Sequence, residues 1–347
     1  MAVAGCGTHT AKIIDRSGAT VAAADSLTEV EWTRALDETS TARIVVSPDG
    51  DCCERLGRVR SWRHKLVVYR DGAFVWGGPI LQAEWSLGQV EIWASDILAW
   101  LDRRVPHQDI TFGDSDLADI ASWLIEDGFE PDDPGHSVQA IAPAGVRGAR
   151  QYSQNIGQTG DHLRDLAEVG IDYTAVGDII VLLPETHTAI VGRLTDADLP
   201  EGLVVAEDGT ALGTRWVVAG SSEETNVLGE AGGPHEYYGL LERYLEQTSI
   251  PDAASAAEAA RSKLRSSLPV PVFLDSQQVT ISPEAAVAVP KLVPGWCLDI
   301  TSAQTCRTIT QRLKITGLKV TETGGTDASP GSESVQVQVA ATGAEAG

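Results

Sequence analysis

The chain has 347 residues, enough for two or three domains, and its 43% hydrophobic and 22% charged residues mark a globular protein. Thirty-four Gly and 16 Pro beside 4 Phe and 1 Met favour many short strands over long packed helices. With 26 basic against 49 acidic residues the net charge is -23, which repels phosphate and weighs against nucleic-acid binding as the main activity.

No apolar run approaches the roughly 18 to 20 residues of a membrane span. The start, Met1 to Gly7, lacks the charged and apolar regions of a signal peptide, so synthesis in a cytosol is expected. The five cysteines include the adjacent Cys52-Cys53 and form no CxxC or Cys/His cluster. They read as reduced packing residues, not as a zinc site or disulfide framework.

From residue 11 to 94 the pattern predicts a meander of strands. Thr41 to Val46, Lys65 to Arg70 and Gln89 to Ala94 are β-rich and partly alternating, and Asp71-Gly72 is a hairpin turn. Ser95-Asp96 caps a short helix from Ile97 to Arg103. A second helix, about Ser115 to Asp127, sets Leu117, Ile120 and Leu124 on one side. From Phe129 to Asn155 the Pro- and Gly-rich chain reads as a long loop or arm, mobile alone and ordered by a neighbour. A helix near Gly160 to Glu168 leads to a hairpin, Ile171 to Thr174 with Asp178 to Leu183. Strands follow at Leu203 to Ala206 and Arg215 to Ala219, then an Ala-rich helix from Asp252 to Leu264. The rest is β: Gln278 to Ser282, Cys297 to Ser302, Thr308 to Thr321 and Ser334 to Ala340. The loop Gly324 to Ser332 and the tail Thr342 to Gly347 read as mobile.

Catalytic signatures are missing: the sequence holds no GxSxG, HExxH, Walker loop or strand-linked GxGxxG. The His162 and Asp165 pair on one helix face reads as solvated, and acidic doublets such as Asp132-Asp133 lack the facing geometry of a glycosidase. Cys297 has no His after it and reads as a buried strand residue. No catalytic, cofactor-binding or metal residue is therefore expected. One stretch breaks the acidic trend: Arg55, Arg58, Arg60, Arg63, His64 and Lys65, with Trp62 among them. It has three readings: a nucleic-acid patch, a solvated turn, or a positive patch meeting an acidic neighbour, the last favoured. The stretch Leu194 to Thr214, with Asp196, Asp198, Glu201, Glu207 and Asp208 and no Lys or Arg, is a candidate for that neighbour. Of nine Trp, those at 32, 76, 85 and 93 fall on predicted strands and read mostly as core.

Several short motifs carry a resemblance. They are Glu31-Trp32-Thr33-Arg34-Ala35-Leu36-Asp37, Trp62-Arg63-His64-Lys65-Leu66, Val75-Trp76-Gly77-Gly78-Pro79-Ile80 and Ala94 to Leu101. Later come Asp172-Tyr173-Thr174, Tyr238 to Glu242 and Leu292-Val293-Pro294-Gly295. In this order they resemble the minor tail, or baseplate-hub, proteins of siphophages that infect actinobacteria, themselves related in fold to contractile-tail hubs and type VI secretion spikes. The resemblance implies a mainly β fold with α inserts: two tube-type β-barrel domains with smaller helical or mixed inserts. The expected division is 1–105, part of the first barrel; 106–190, a mixed insert with the arm 129–155; and 191–347, the second barrel with the helix 252–264. It also implies a homotrimer at the distal tail tip of the virion, adapting a six-fold tube to a three-fold tip around the DNA channel. Its partners would be the distal tail protein and tail tube above, tip or fibre proteins below, and tape measure protein or DNA in the lumen. No cofactor is implied. A tail-associated cell-wall hydrolase, or a receptor- or carbohydrate-binding module using Trp62, Trp123 or Trp296, are the alternatives.

Overall fold

The computed structural model describes residues 7–24, 27–47, 50–201, 205–207, 212–221, 226–267, 272–274, 279–282, 285–303, 309–324 and 331–341. Four strands open the chain, β1 (His9–Ile14), β2 (Thr20–Ala24), β3 (Glu29–Ala35) and β4 (Thr41–Val46), before helix α1 (Gly50–Leu56). Next come β5 (Lys65–Arg70), β6 (Ala73–Ser86), β7 (Gln89–Ser95) and a 3-10 helix at Ile97–Arg103. The middle holds β8 (Ile110–Asp116), α2 (Leu117–Phe129), β9 (Ser137–Ala140), β10 (Arg147–Tyr152), α3 (Thr159–Ala167), β11 (Ile171–Val176) and β12 (Ile179–Pro184). Then follow β13 (Ile190–Thr195), β14 (Val205–Glu207), β15 (Arg215–Ser221), β16 (Asn226–Gly232), β17 (Glu242–Glu246) and α4 (Ala253–Ser267). The chain continues with β18 (Val272–Leu274), β19 (Val279–Thr280), β20 (Cys297–Ser302), β21 (Ile309–Thr323) and β22 (Ser332–Ala341).

A 12-stranded sheet runs β13-β20-β21-β3-β4-β7-β6-β5-β1-β2, with β22 against β21 and β19. Alternation drives it: Val30, Trp32 and Arg34 of β3 point inward while their neighbours are half exposed. Two long strands carry it round corners at bulges. β6 pairs with β5 through Pro79 and with β7 from Ile80, and β21 pairs with β20 through Lys314 and with β3 from Gly317. At the first corner Gly78 is required, because a Cβ there would lie 1.8 Å from the Ser95 carbonyl oxygen. Asp71 and Gly72 both have positive φ, the geometry of the tight turn their sequence signalled.

One core gathers Trp32, Ile44, Leu66 and Ile92 with Leu298, Ile315, Val320 and Val337, so both ends of the chain build the same layer. A second core holds Leu117, Ile120 and Leu124 of α2 with Leu163, Tyr173, Leu182, Val218 and Ala256. The cores thus draw on the chain discontinuously. The reason is the β3–β21 ladder, which satisfies the backbone edge of β3 with a partner that local periodicity cannot name.

The stretch from Phe129 to Asn155 is not an arm. β9 lies parallel to β12 and β10 antiparallel to β8. Asp116, which caps α2 through Ala118 N–H at 2.9 Å, also accepts from Ala144 N–H at 2.9 Å and Gly145 N–H at 3.1 Å. Gly135 and Gly145, both at positive φ, lie in the connections that lead into β9 and β10. Ile97–Arg103 is a 3-10 helix, capped by Asp96 through Leu98 N–H. Trp85, expected in the core, is 49% exposed. The tail Thr342 to Gly347 and most of the loop Gly324 to Ser332 lie outside the described residues.

Two polar links bind the parts. Arg70 of β5 donates from Nε and Nη2 to both Glu333 oxygens of β22, at 2.6 and 2.7 Å, with both side chains buried. The β3–β4 turn clasps β11: Asp37 N–H donates to the Tyr173 carbonyl, and Tyr173 N–H donates back to the Asp37 carboxyl, both at 2.8 Å. Burial, then the neighbouring Asp172, pushes the Asp37 carboxyl up to about 8. Lys314 Nζ donates to Asp172 at 2.6 Å beside it.

Candidate functional site

The basic stretch singled out above folds as the end of α1 and a tight loop onto β5. Arg60 N–H donates to His64 Nδ1 at 2.9 Å and its guanidinium donates to the Gly57 and Val59 carbonyls. His64 is buried, and burial followed by Arg63 lowers its pKa, so it serves as a neutral acceptor. Trp62 N–H donates to the Ile80 carbonyl at 2.7 Å, which anchors the loop on β6.

This anchoring holds Trp62 at φ +61°, the left-handed region that a bulky residue enters at a cost of about 1–3 kcal/mol. Its ring meets Trp100 edge-on at 4.8 Å, and Arg103 lies over it at 5.7 Å. Contacts of these kinds contribute about 0.5–1.5 and 0.5–1 kcal/mol, enough to offset much of the strain. The two tryptophans stay partly open to a cleft of about 240 Å3 lined by Asp15, Arg16, Trp62, Arg63, Trp100 and Asp178. Arg16 donates to Asp132 at 2.8 Å, and Lys65 pairs with Asp178, so the cleft lies where the first core meets the second. Asp15 is held below the usual carboxylate range, chiefly by the Ser17 hydroxyl. The cleft thus has aromatic walls with cations and carboxylates at its margin.

The other candidate residues lie apart from it. His162 Nε2 donates to the Ile156 carbonyl at 3.0 Å, and its ring packs on Tyr152. Cys297 is buried in β20, its thiol pushed up to about 11 by burial and its Sγ 3.7 Å from the His187 carbonyl oxygen. The His187 ring meets Trp296, and Trp123 packs edge-on against Phe112. Within the acidic stretch, Asp198 accepts from Thr195 and Asp196 from Ala303 N–H, while Glu201 is exposed. Asp208 and the Glu207 side chain lie outside the described residues.

Sequence reasoning missed a second surface. β16, β15 and β17 form a sheet whose inner face, with Trp216, Val218 and Val227, packs on α4. Its outer face sets Tyr244 beside Val217 and Leu228 beside Ala219. Tyr244 is 64% exposed and Tyr237, in the connecting loop, is 80% exposed. The alternation Glu242, Tyr244, Glu246 was the available signal.

No protein-family model matches this sequence, nor does any curated protein. Solved structures do. A tail protein from Neisseria meningitidis MC58 aligns with a TM-score of 0.62 and 12% identity over 95% of this chain and 96% of its own. The 43 kDa tail protein of prophage MuSo2 from Shewanella oneidensis gives 0.62 and 13% over 95% and 98%. Prophage tail protein gp18 from Listeria monocytogenes EGD-e gives 0.57 and 14% over 95% and 94%. At 12 to 14% identity the likeness is one of fold: the chain has the β-rich architecture of these tail proteins, with helical inserts.

Proposed function

We propose that the chain is a structural, non-enzymatic component of a phage-type tail. In this reading it is a hub protein of the distal tip that forms a homotrimeric ring, adapts a six-fold tube to a three-fold end and surrounds the DNA channel. A distal tail protein and the tube would sit above it, and tip or fibre proteins below. The observation that carries the reading is the fold likeness, end to end, to proteins described as tail proteins. The net charge of -23 suits a conduit that must not retain phosphate.

Gold-labelled antibody against the chain, viewed on intact particles by electron microscopy, tests it. Label at the end of the tail is expected. Label on the capsid, or particles without the chain, would overturn the reading. Turnover of purified peptidoglycan by the isolated chain would overturn its non-enzymatic part.

A further inference from the structure

The fold leaves two surfaces of opposite character uncovered. Among the described residues, Leu228, Tyr237, Tyr238, Leu240, Leu241 and Tyr244 are all exposed within one short stretch. Four carboxylates rim it: Glu230 and Glu242 pair with Arg215, while Glu236 and Glu246 are exposed and form no ion pair among the described residues. Contiguous exposed apolar surface of this kind marks an interaction site, and tyrosine is enriched in such sites. The opposite surface is the stretch 52–65, where five cations stand against Glu54 alone. Arg55 and Arg63 are exposed there and form no ion pair among the described residues. Arg63 also lines the Trp62–Trp100 cleft.

We propose that Tyr237 and the acidic rim around it, on one copy of this chain, seat in the Trp62–Trp100 cleft and its arginine margin on a second copy. The inference rests on the hub reading and names the contact through which its ring would close. Charge complementarity selects the occupant. Two copies carrying -23 each repel in general, and the most basic stretch is where a carboxylate-rimmed face of another copy meets attraction instead. Size agrees: about 240 Å3 is below the roughly 300 Å3 at which small-molecule sites begin, and suits one aromatic side chain. Tyr237 would add a third ring to the edge-on tryptophan pair, with its hydroxyl donating to Asp15 or Asp178 at the margin. Strain at Trp62 fits the same role, since a backbone held in a sparsely populated conformation fixes the ring before a partner arrives. Because the two surfaces differ, the contact runs head to tail, and each copy offers one cleft and one tyrosine.

Light scattering and sedimentation of the full chain over a concentration and salt series test the proposal. Two exposed-site variants are needed: Tyr237→Ser/Tyr244→Ser, which blunts the face, and Arg55→Glu/Arg63→Glu, which reverses the charge of the basic stretch, Arg63 at the cleft itself. Each should self-associate at least about tenfold more weakly than the parent, whose assembly should weaken with salt. An equimolar mixture of the two should form dimers and nothing larger, because only one intact pair of surfaces remains. Should either variant misfold by circular dichroism, a benzophenone side chain at position 237 should still cross-link to residues 57–65 of a differently isotope-labelled copy. A parent chain that stays monomeric, variants that assemble like the parent, a mixture that remains monomeric, or cross-links only within one copy would each overturn the contact. Tail-tip labelling of particles is independent of all four results, so the hub reading can survive when this contact fails.

Discussion

Arg70→Met removes the cation from the buried pair that ties β5 to β22. Glu333, with no exposed side-chain surface, would keep the Gly7 N–H at 2.9 Å but lose both guanidinium bonds. Leaving one charge of a buried pair uncompensated costs about 3–5 kcal/mol. The reverse change, Glu333→Leu, should cost less, about 1–3 kcal/mol, because Arg70 keeps Asp71 at 3.2 Å, a partner 36% exposed to water. Replacing both by apolar side chains of similar size, Arg70→Met/Glu333→Leu, should recover most of the loss, since neither charge then stays buried alone. The assay is urea unfolding of all four proteins, read as midpoint shifts at constant slope. A coupling of about 2 kcal/mol or more is expected from the double-mutant cycle. Single variants within about 1 kcal/mol of the parent, or single losses that simply add in the double variant, would refute the reasoning.

Three further outcomes follow from the fold. The Asp37 carboxyl, pushed up to about 8, holds its proton in the native state after the unfolded chain has released it near 3.8, so parent stability should fall as pH rises through that window. Asp37→Asn keeps a residue tolerant of its φ of +59° and should flatten that slope; unfolding midpoints with the same pH dependence in both proteins would contradict the assignment. Gly78→Ala, whose new Cβ meets backbone on both Ser95 and Asp96, should lose about 3 kcal/mol or more or fail to fold; thermal melting within a degree or so of the parent would show the corner to be pliable. Purified chain should leave duplex DNA unretarded at physiological salt; tight, salt-sensitive retention abolished by Arg63→Glu would reverse the charge argument.

Strand content, the Asp71-Gly72 turn and the Asp96 cap were legible because each depends on residues within a few positions of one another. The pairing of β21 with β3 was not, since nothing in either strand names the other. The same limit misread 129–155: its breakers signalled turns correctly, but β9 and β10 are recruited by β12 and β8, which periodicity cannot foresee. At the candidate site, the local cluster of Arg55 to Lys65 with Trp62 was visible. Trp100 and Asp178, which complete the cleft, arrive from the second core, and the φ of Trp62 is set by its bond to Ile80. Tyr237 and Tyr244 went unremarked because exposure is a property of the packed sheet and not of the pattern.

The ladder between β3 and β21 also sets an order of events during synthesis. Until residues 317–323 leave the ribosome, β3 keeps an unpaired edge beside an apolar layer that the first ninety or so residues have already started to build. Loop closure over such a distance is slow, and the waiting edge is a template for pairing with another nascent chain. A chain cut short before β21 would therefore carry its defect as a sticky strand rather than a missing function. Aggregation and clearance would remove it from the pool before it could enter an assembly and terminate it.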